Sequence, residues 1–257
     1  MSKAVDISNY SGELNASQAQ RLVELGYTTA IVQVVNEDIH LHRQQIPILQ
    51  AAGIDVQGYV YMWFDGDFES RVAYACRELQ NYNITKLWLD CEDQAYANGE
   101  NPQHVIRAIR RSSWVATIAG VTSGIYTGKW WWEVATGDTK EFSDLPLWAA
   151  VYGGNPDITS FVPFGGWTSL AIKQHTPDTT IALIPNVDLN TVREVVKQIN
   201  LRDALQDEEI LIAKVLAIRA ADLITGANST IGAKIVEGSR PTQVVFTITD
   251  QMFEGVR

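Results

Sequence analysis

The sequence of 257 residues has little of what marks several common protein classes. It contains only two cysteines, Cys76 and Cys91, with no CxxC pair and no cluster of histidines, which argues against a zinc site and excludes a disulfide framework. Lysine and arginine together number 20 against 30 acidic residues, so the net charge is -10. Because a nucleic-acid-binding surface is basic and clustered, we expect no nucleic-acid partner. Since free cysteine is among the most often buried residue types, we also expect both thiols to be buried and unpaired.

Long apolar segments are missing as well. The N-terminal stretch MSKAVDISNY has no apolar core of the kind found in secretory signal peptides, and no run approaches the length of a membrane span. We therefore expect a protein that is cytoplasmic until released, or extracellular or phage-associated by a leaderless route. The P-loop, GxSxG and HExxH motifs are also absent, and the sequence indicates no cofactor.

The sequence does contain a regular alternation of strand-like and helix-like segments. Five βα units come first, and three strand-like segments follow at 145–154, 169–176 and 185–190. The connections between these last segments are too short or too rich in glycine and proline for regular helices. Because eight strands close a barrel of TIM size, the sequence predicts an α/β fold, a TIM-like barrel of the (β/α)5(β)3 type, over residues 1–200.

Residues 201–257 are not needed for such a barrel. They begin with the amphipathic helix-like segment DALQDEEILIAKVLAIRAADLI. The following segment, AKIVEGSRPTQVVFTITDQMF, is typical of one or two strands with a Gly-Ser-Arg-Pro turn. We expect a short α+β C-terminal extension, which packs as an extension of the barrel, serves self-association or recognises the cell wall.

Four acidic residues fall at or near the predicted strand ends. Asp90 and Glu92 in LWLDCED are two residues apart, so both point to one face with Cα atoms about 6.6 Å apart, while Cys91 points towards the helices. Asp6 lies on the first strand and Asp188 on the last. Because the carboxyl ends of barrel strands line the active site, we expect these four carboxyl groups in one cleft.

Aromatic residues gather at the same strand ends, namely Tyr61, Trp63, Tyr126, Trp148 and Tyr152. Aromatic rings stack on the apolar faces of pyranoses, and carboxylates accept hydrogen bonds from sugar hydroxyls. Crowded carboxylates also repel one another's charge, so at least one stays protonated near neutral pH and can serve as an acid. The combination indicates a site that binds and processes a carbohydrate.

Five segments, in order over about residues 3–200, resemble the glycoside hydrolase family 25 lysozymes, the muramidases of phage endolysins and bacterial autolysins. VDISNYSG resembles the family's first-strand D-x-S-x-x-x-G, LWLDCED its D-x-E strand, GIYTGKWWW its G-I-Y-[ST] segment and PLWAAVYG its L-W-x-A-x-Y-G. IKQHTPDTTIALIPNVDLN resembles the closing Q-Y-[ST] and V-D-x-N segments. The family's barrel of five βα units and three further strands agrees with the strand count made from the sequence.

The resemblance implies a peptidoglycan hydrolase that cleaves the β-1,4 linkage between N-acetylmuramic acid and N-acetylglucosamine. By position, Glu92 is the general acid, and Asp90 orients the substrate's 2-acetamido group, which acts as an internal nucleophile. Asp6 and Asp188 hold this geometry and tune the pKa values. Gln174 and the five aromatic residues named above are expected to contact the substrate, which is peptidoglycan or a related N-acetylated glycan.

Several positions depart from the family's pattern. Gln33 stands where the second strand commonly carries Lys, Met62 and Trp63 replace the usual residues at the end of the third strand, and His175 follows Gln174 where Tyr is frequent. Two alternatives to an enzyme therefore stay open. One is a catalytically silent glycan-binding barrel in a phage or cell-surface assembly, which a blocked cleft would favour. The other is a carboxylate site for Mg²⁺ or Ca²⁺, which a bound ion would favour.

Overall fold

The computed structural model describes residues 1–34 and 40–193 in full and the backbone of residues 232–236 and 243–247. The chain divides into two compact units, Met1–Val195 and Val196–Arg257. None of the described helices is both long enough and apolar enough to cross a bilayer.

The first unit is a closed barrel whose eight strands follow one another in sequence order. The strands are β1 Ser2–Ile7, β2 Tyr27–Gln33, β3 Asp55–Tyr61, β4 Lys86–Asp90, β5 Thr122–Gly128, β6 Leu147–Ala150, β7 Ile172–Ile181 and β8 Ile184–Val192. Strands β1 to β7 pair in parallel, whereas β8 runs antiparallel to both β7 and β1. The predicted (β/α)5(β)3 barrel is confirmed.

Five helices follow the first five strands: α1 Ala16–Glu24, α2 His42–Ala51, α3 Phe68–Gln80, α4 Pro102–Ile118 and α5 Lys129–Thr136. Local signals explain two of their N-termini. Asn15 and Gln18 exchange side chain–backbone hydrogen bonds of 3.0 Å in a capping box. Asn101 accepts a hydrogen bond from the His104 N–H at 3.3 Å, and Pro102 occupies the first turn, where no N–H is needed.

Apolar side chains fill two layers of the barrel unit. The inner layer lies within the barrel and consists of Ile31, Tyr59, Trp88, Tyr126, Trp148 and Ile172. The larger layer, between strands and helices, includes both cysteines, which are buried and free as predicted. Since neighbouring side chains on a strand point to opposite faces, each strand contributes to both layers.

The second unit contains two described strands, β9 Gly232–Val236 and β10 Gln243–Thr247, which pair antiparallel. They lie in the segment for which one or two strands were predicted. The helix predicted for the start of the extension lies outside the described residues. The role of the extension, including self-association, stays a prediction.

Candidate active site

Alternation along the strands brings four carboxyl groups to one end of the barrel interior. On β1, Val5 and Ile7 belong to the outer layer, so Asp6 between them faces inwards. On β4, Trp88 belongs to the inner layer, and Asp90, two residues later, follows the same face. These two inward-facing carboxyl groups are 7% and 5% exposed.

Glu92 lies two residues beyond the end of β4. The strand pairing continues past that end, because the Cys91 N–H donates to the Tyr126 carbonyl at 2.8 Å. Glu92 therefore remains on the side of Asp90, and both residues line one cleft with Asp6 and Asp188. As predicted, Cys91 is buried in the outer layer instead.

Asp188 lines the cleft from a different position in its strand than the one predicted. The sequence interpretation placed it at the carboxyl end of a strand, which is wrong because it lies within β8. Strand β8 runs antiparallel to β1, and the two strands pair Asp6 directly with Asp188. The carboxyl ends of the parallel strands form the site. Because β8 runs in the opposite direction, its carboxyl end lies at the other end of the barrel and its amino-terminal side lies at the site.

The cleft has a volume of about 330 Å³, at the lower end of the range of small-molecule sites. Its lining combines the four carboxyl groups with neutral and aromatic side chains and one further acid: Asp6, Ser8, Tyr10, Gln33, Tyr59, Tyr61, Asp90, Glu92, Asp178, Asn186 and Asp188. The four acidic residues expected from the sequence are thus brought together.

The buried amide of Gln174 connects the carboxyl groups to two tyrosines. Its Nε2 donates to Asp6 Oδ2 at 3.0 Å and to Asp188 Oδ2 at 2.9 Å. Its Oε1 accepts hydrogen bonds from the Tyr126 and Tyr152 hydroxyls at 2.8 and 2.9 Å. Two N–H and two lone-pair positions are all that an amide offers, so no capacity remains for a sugar. The expectation that Gln174 contacts substrate directly is corrected: it holds the carboxyl groups in place.

Trp148 also differs from its predicted role. It was expected to contact substrate, but it is 1% exposed and packs within the inner layer, with its ring 4.4 Å from that of Tyr126 between centroids. Its indole N–H donates to Asn190 Oδ1 at 2.8 Å, and Asn190 Nδ2 donates to Asp6 Oδ2 at 2.8 Å. Trp148 therefore supports the carboxyl groups from below, since burial leaves no ring face for a sugar.

The other predicted aromatic residues divide by exposure. Tyr126 is buried and belongs to the hydrogen-bond network of Gln174. Tyr61 lines the cleft, and its ring lies 4.6 Å from that of Trp63, which is 43% exposed. Tyr152 exposes half of its surface while its hydroxyl is fixed. Substrate contact by Tyr61, Trp63 and Tyr152 stays a prediction, and these three rings are accessible to a ligand.

Burial and mutual repulsion raise the pKa values of the carboxyl groups. Burial, then the charge of Asp188, raise the pKa of Glu92 to about 7, while the neighbouring Tyr126 side chain opposes the shift. The same two causes raise the pKa of Asp6 to about 8, against hydrogen bonds from Asn190 and Gln174. Acids that keep a proton near neutral pH can act as proton donors there.

Asp90 combines a raised pKa with a buried carboxyl oxygen that lacks a hydrogen-bond partner among the described residues. Burial, and then the charges of Glu92 and Asp6, raise its pKa well above the ordinary value. Its Oδ1 is buried and has no hydrogen-bond partner within the described part of the chain. A buried carboxyl oxygen without a partner is costly, so a ligand that donates an N–H or O–H there would gain a strong interaction.

Sequence reasoning did not assign Ser8, Tyr10, Tyr59, Asp178 and Asn186 to the site. Ser8 and Tyr10 stand in VDISNYSG, whose spacing to Asp6 was a usable signal. Asp178 and Asn186 lack such a signal, because only the β7–β8 hairpin brings them to the cleft. The Asp178 N–H donates to Asp188 Oδ1 at 2.7 Å.

Metal binding was the other chemistry open to a carboxylate cluster. Within residues 1–34 and 40–193, the structure has no group of three or more His, Cys, Asp or Glu side chains arranged to hold an ion.

Comparison with solved structures identifies the architecture. The barrel is similar to a muramidase from Trichobolus zukalii, with a TM-score of 0.62 at 17% identity over 77% of this chain and 97% of that chain. It is equally similar to a lysozyme from Streptomyces coelicolor, with a TM-score of 0.62 at 16% identity over 76% and 93% of the two chains. At these identities the likeness establishes the fold alone.

Sequence comparison finds curated relatives in two organisms. Counting factor 50 of Dictyostelium discoideum is 30% identical over 135 residues, which is 49% of this chain and 43% of the relative. Probable GH family 25 lysozyme 2 of the same organism is 34% identical over 115 residues, covering 43% and 50%. Lysozyme-like protein 5 of Caenorhabditis elegans is 29% identical over 157 residues, covering 58% and 72%. The chain spans about half the length of the first two.

The sequence model of one family, described as lysozyme-like protein 1, matches residues 1–175. That range includes β1 to β6, the first part of β7 and the side chains of Asp6, Asp90, Glu92 and Gln174. The chain therefore belongs to the lysozyme-like protein 1 family, and it is similar in sequence to a probable lysozyme of glycoside hydrolase family 25.

Proposed function

We propose that the protein is a peptidoglycan hydrolase that cleaves the β-1,4 linkage between N-acetylmuramic acid and N-acetylglucosamine. The observation that carries the proposal is the set of four carboxyl groups around one cleft, two of them with pKa values of about 7 and about 8. Membership of a lysozyme-like family supports the same reaction class.

In the first step Glu92 is the general acid. A proton moves from its carboxyl group to the glycosidic oxygen as the bond between that oxygen and C1 breaks. The pKa of about 7 makes a protonated Glu92 available near neutral pH. Because Glu92 is more exposed than Asp6 and Asp90, it is the carboxyl group that a bound polymer reaches most readily.

Asp90 acts on the 2-acetamido group of the sugar. Its unpartnered Oδ1 is suited to accept the acetamido N–H, which orients the acetamido oxygen towards C1. That oxygen forms a bond to C1 as the leaving oxygen departs, so the sugar supplies the nucleophile itself. Water then attacks C1, the bond to the acetamido oxygen breaks, and the Glu92 carboxylate takes the proton from water. Two displacements at C1 retain the anomeric configuration.

Asp6 and Asp188 keep the reacting groups in place. Gln174 bridges both carboxyl groups, and Asn190 and the Asp178 N–H each hold one of them. This network prevents the two side chains from turning away, and the charge of Asp188 maintains the raised pKa of Glu92. Asp6 and Asp188 thus support the site and do not react with the substrate directly.

The test compares wild type with Glu92→Gln on purified peptidoglycan. We expect the variant to lose cleavage by about 10²- to 10⁴-fold or more, because glutamine keeps the shape of glutamate but donates no acidic proton. Turbidity loss and new reducing ends on N-acetylmuramic acid measure the reaction, and circular dichroism checks that the variant is folded.

The possible results separate the alternatives. Equal cleavage by wild type and Glu92→Gln would remove Glu92 from the general-acid role. If neither protein cleaves but both pellet with the insoluble glycan, the protein is a catalytically silent glycan-binding barrel. If neither cleaves nor pellets, peptidoglycan is not its ligand.

A further inference from the structure

The chain just before Glu92 is fixed by a residue that does not line the cleft. The Cys91 N–H donates to the Tyr126 carbonyl at 2.8 Å, and the Cys91 carbonyl accepts a hydrogen bond from Thr127 Oγ1 at 2.7 Å. Thr127 is fully buried, and because it follows the inward-facing Tyr126 on β5, it points away from the barrel interior. Strand β5 therefore holds both backbone polar groups of the residue before Glu92.

Asp93 fixes the chain just after Glu92. Its side chain is 2% exposed and accepts two backbone hydrogen bonds, at Oδ2 from the Phe64 N–H at 3.3 Å and at Oδ1 from the Ala95 N–H at 3.0 Å. Its carbonyl accepts a hydrogen bond from the indole N–H of Trp131 at 2.8 Å. Phe64 precedes α3 and Trp131 lies on α5, so two other βα units anchor Asp93.

The groups that anchor Asp93 are themselves closely packed. The rings of Phe64 and Trp131 stack with 5.7 Å between centroids and an interplanar angle of 19°, and both side chains are fully buried. Displacing either ring would open the packed layer between strands and helices. Neither Asp93 nor Thr127 is among the described residues that line the cleft, so a ligand bound there does not contact them.

Glu92 needs this support because it lies beyond the last residue of β4. A glutamate side chain is long and turns about several bonds, whereas a reacting group has to be held within about 0.5 Å of its productive position. Outward movement would also take the carboxyl group away from Asp188 and into water. Both causes of the raised pKa of Glu92 would then weaken.

We propose that Thr127 and Asp93 are positioning residues, which fix the backbone at residues 91–93 so that the Glu92 carboxyl group stays in the cleft, oriented for proton transfer. The inference rests on the proposed function, because it concerns the group that serves there as general acid. Neither residue touches the substrate. Both act through the backbone on either side of Glu92.

The pair Thr127→Val and Thr127→Ser tests the anchor before Glu92. Valine has nearly the shape of threonine but no hydroxyl, whereas serine keeps the hydroxyl that donates to the Cys91 carbonyl. On a soluble peptidoglycan fragment, we expect Thr127→Val to lower kcat by about 10- to 100-fold, because a small displacement of a reacting group slows the reaction strongly. KM should stay within about twofold of wild type, since the cleft lining is unchanged. Thr127→Ser should resemble wild type in both constants.

NMR titration of isotope-labelled glutamate carboxyl groups gives a measurement that does not need activity. The signal that disappears in Glu92→Gln belongs to Glu92. We expect the pKa of Glu92 to be about 6 or lower in Thr127→Val, against about 7 in wild type, because the carboxyl group becomes better solvated. Thr127→Ser should keep the value of wild type.

Asp93→Asn tests the anchor after Glu92. An asparagine amide keeps one acceptor oxygen and carries an NH₂ group in place of the other, so the N–H of Phe64 or of Ala95 loses its partner. We expect kcat and the pKa of Glu92 to fall as they do in Thr127→Val.

The matched control is Thr136→Val. It also removes a buried hydroxyl that donates to a backbone carbonyl, that of Trp132 on α5 at 2.6 Å. This bond lies within α5 and does not hold residues 91–93. The control should therefore leave kcat, KM and the pKa of Glu92 unchanged even where it lowers stability.

The results keep this inference separable from the proposed reaction. A lowered pKa of Glu92 in Thr127→Val, with no cleavage of peptidoglycan by wild type, would support the positioning role and overturn the proposed reaction. Cleavage by wild type, with kcat and the pKa of Glu92 unchanged in folded Thr127→Val and Asp93→Asn, would overturn the positioning role alone. Changes of equal size in Thr136→Val would also overturn it, since the loss of any buried hydroxyl would then have the same effect.

Discussion

One amide illustrates how much of the site depends on single residues. Gln174 uses both hydrogens of Nε2 on carboxyl groups of Asp6 and Asp188, and both acceptor positions of Oε1 on tyrosine hydroxyls. Carboxyl groups this close repel each other, and hydrogen bonds to the ionised form oppose the effect of burial on the pKa. The balance of these effects, and not the count of acids, sets which group keeps its proton.

The pKa of Glu92 should respond to a change at Asp188. After burial, the charge of Asp188 is the largest contribution to the raised pKa of Glu92, so Asp188→Asn lowers this pKa below about 7. Because Glu92 must be protonated to act as an acid, the alkaline limb of the kcat/KM profile moves to lower pH. The measurement is initial rate against pH on a soluble peptidoglycan fragment.

A control for this shift is Asp144→Asn. It also removes one negative charge, but Asp144 is exposed and does not line the cleft. Its alkaline limb should coincide with that of wild type. Equal kcat/KM profiles against pH for Asp188→Asn and wild type would mean that the charge of Asp188 does not raise the pKa of Glu92.

At the scale of secondary-structure elements, close packing between β4 and β5 supports the floor of the site. Gly124 on β5 pairs with Trp88 on β4, and the Trp88 ring lies across the glycine. The Trp88 indole N–H donates to Gln57 Oε1 at 2.8 Å, which fixes the ring. The ring in turn packs edge-on against Trp148, with 5.9 Å between centroids. The absence of a Cβ at residue 124 is thus required by the inner layer.

Gly124→Ala should destabilise the barrel by about 1–3 kcal/mol, the usual cost of overpacking a core. A Cβ there would lie 2.5 Å from Trp88 Cζ3 and 3.0 Å from the Pro146 carbonyl oxygen, and neither atom can move freely. Urea unfolding followed by tryptophan fluorescence measures the change, since all eight tryptophans lie in the barrel unit.

Gly66→Ala is the matched control for this substitution. Its Cβ would meet only the Trp63 carbonyl oxygen, at 3.9 Å, so its stability should stay within about 1 kcal/mol of wild type. Similar unfolding midpoints for Gly124→Ala and wild type would contradict tight packing around residue 124.

For the whole molecule, the buried carboxyl groups make stability depend on pH. In the folded state Asp6 and Glu92 keep protons up to pH values of about 8 and about 7, whereas in the unfolded chain they release them near pH 4. The folded state thus binds more protons, and the free energy of unfolding falls as pH rises. Burial lowers the pKa of His42, and it lowers the pKa of Lys86 to about 8. These two groups make the free energy of unfolding rise with pH, His42 below about pH 6.5 and Lys86 above about pH 8.

The clearest window is therefore between pH 6.5 and 8. We expect the free energy of unfolding of wild type to fall there by about 1–3 kcal/mol, since each proton lost on unfolding contributes up to about 1.4 kcal/mol per pH unit. Asp6→Asn, which has no proton to release, should show a smaller decrease. Urea unfolding at several pH values checks this. A free energy that is constant or rises across the window would contradict the raised pKa values.

Much of the fold followed from residue patterns. Alternation of apolar residues and the glycines that end helices predicted five βα units, and the short connections after them predicted three further strands. Asp90 and Glu92 could be placed on one face because side chains alternate along a strand and along its extension. The position of Asp188 was predicted for the wrong reason, since no local pattern reveals that β8 runs antiparallel.

Local periodicity and residue type were enough to predict the strand order, the identity of the acids and the chemistry open to them. Which polar side chains meet the acids depends instead on how the whole barrel packs. Gln174 and Asn190 lie far from Asp6 in sequence, and closure of the barrel by β8 places all three within hydrogen-bonding distance. Likewise, burial of Trp148 and exposure of Tyr10 result from packing across the barrel, which depends on residues distant in the chain.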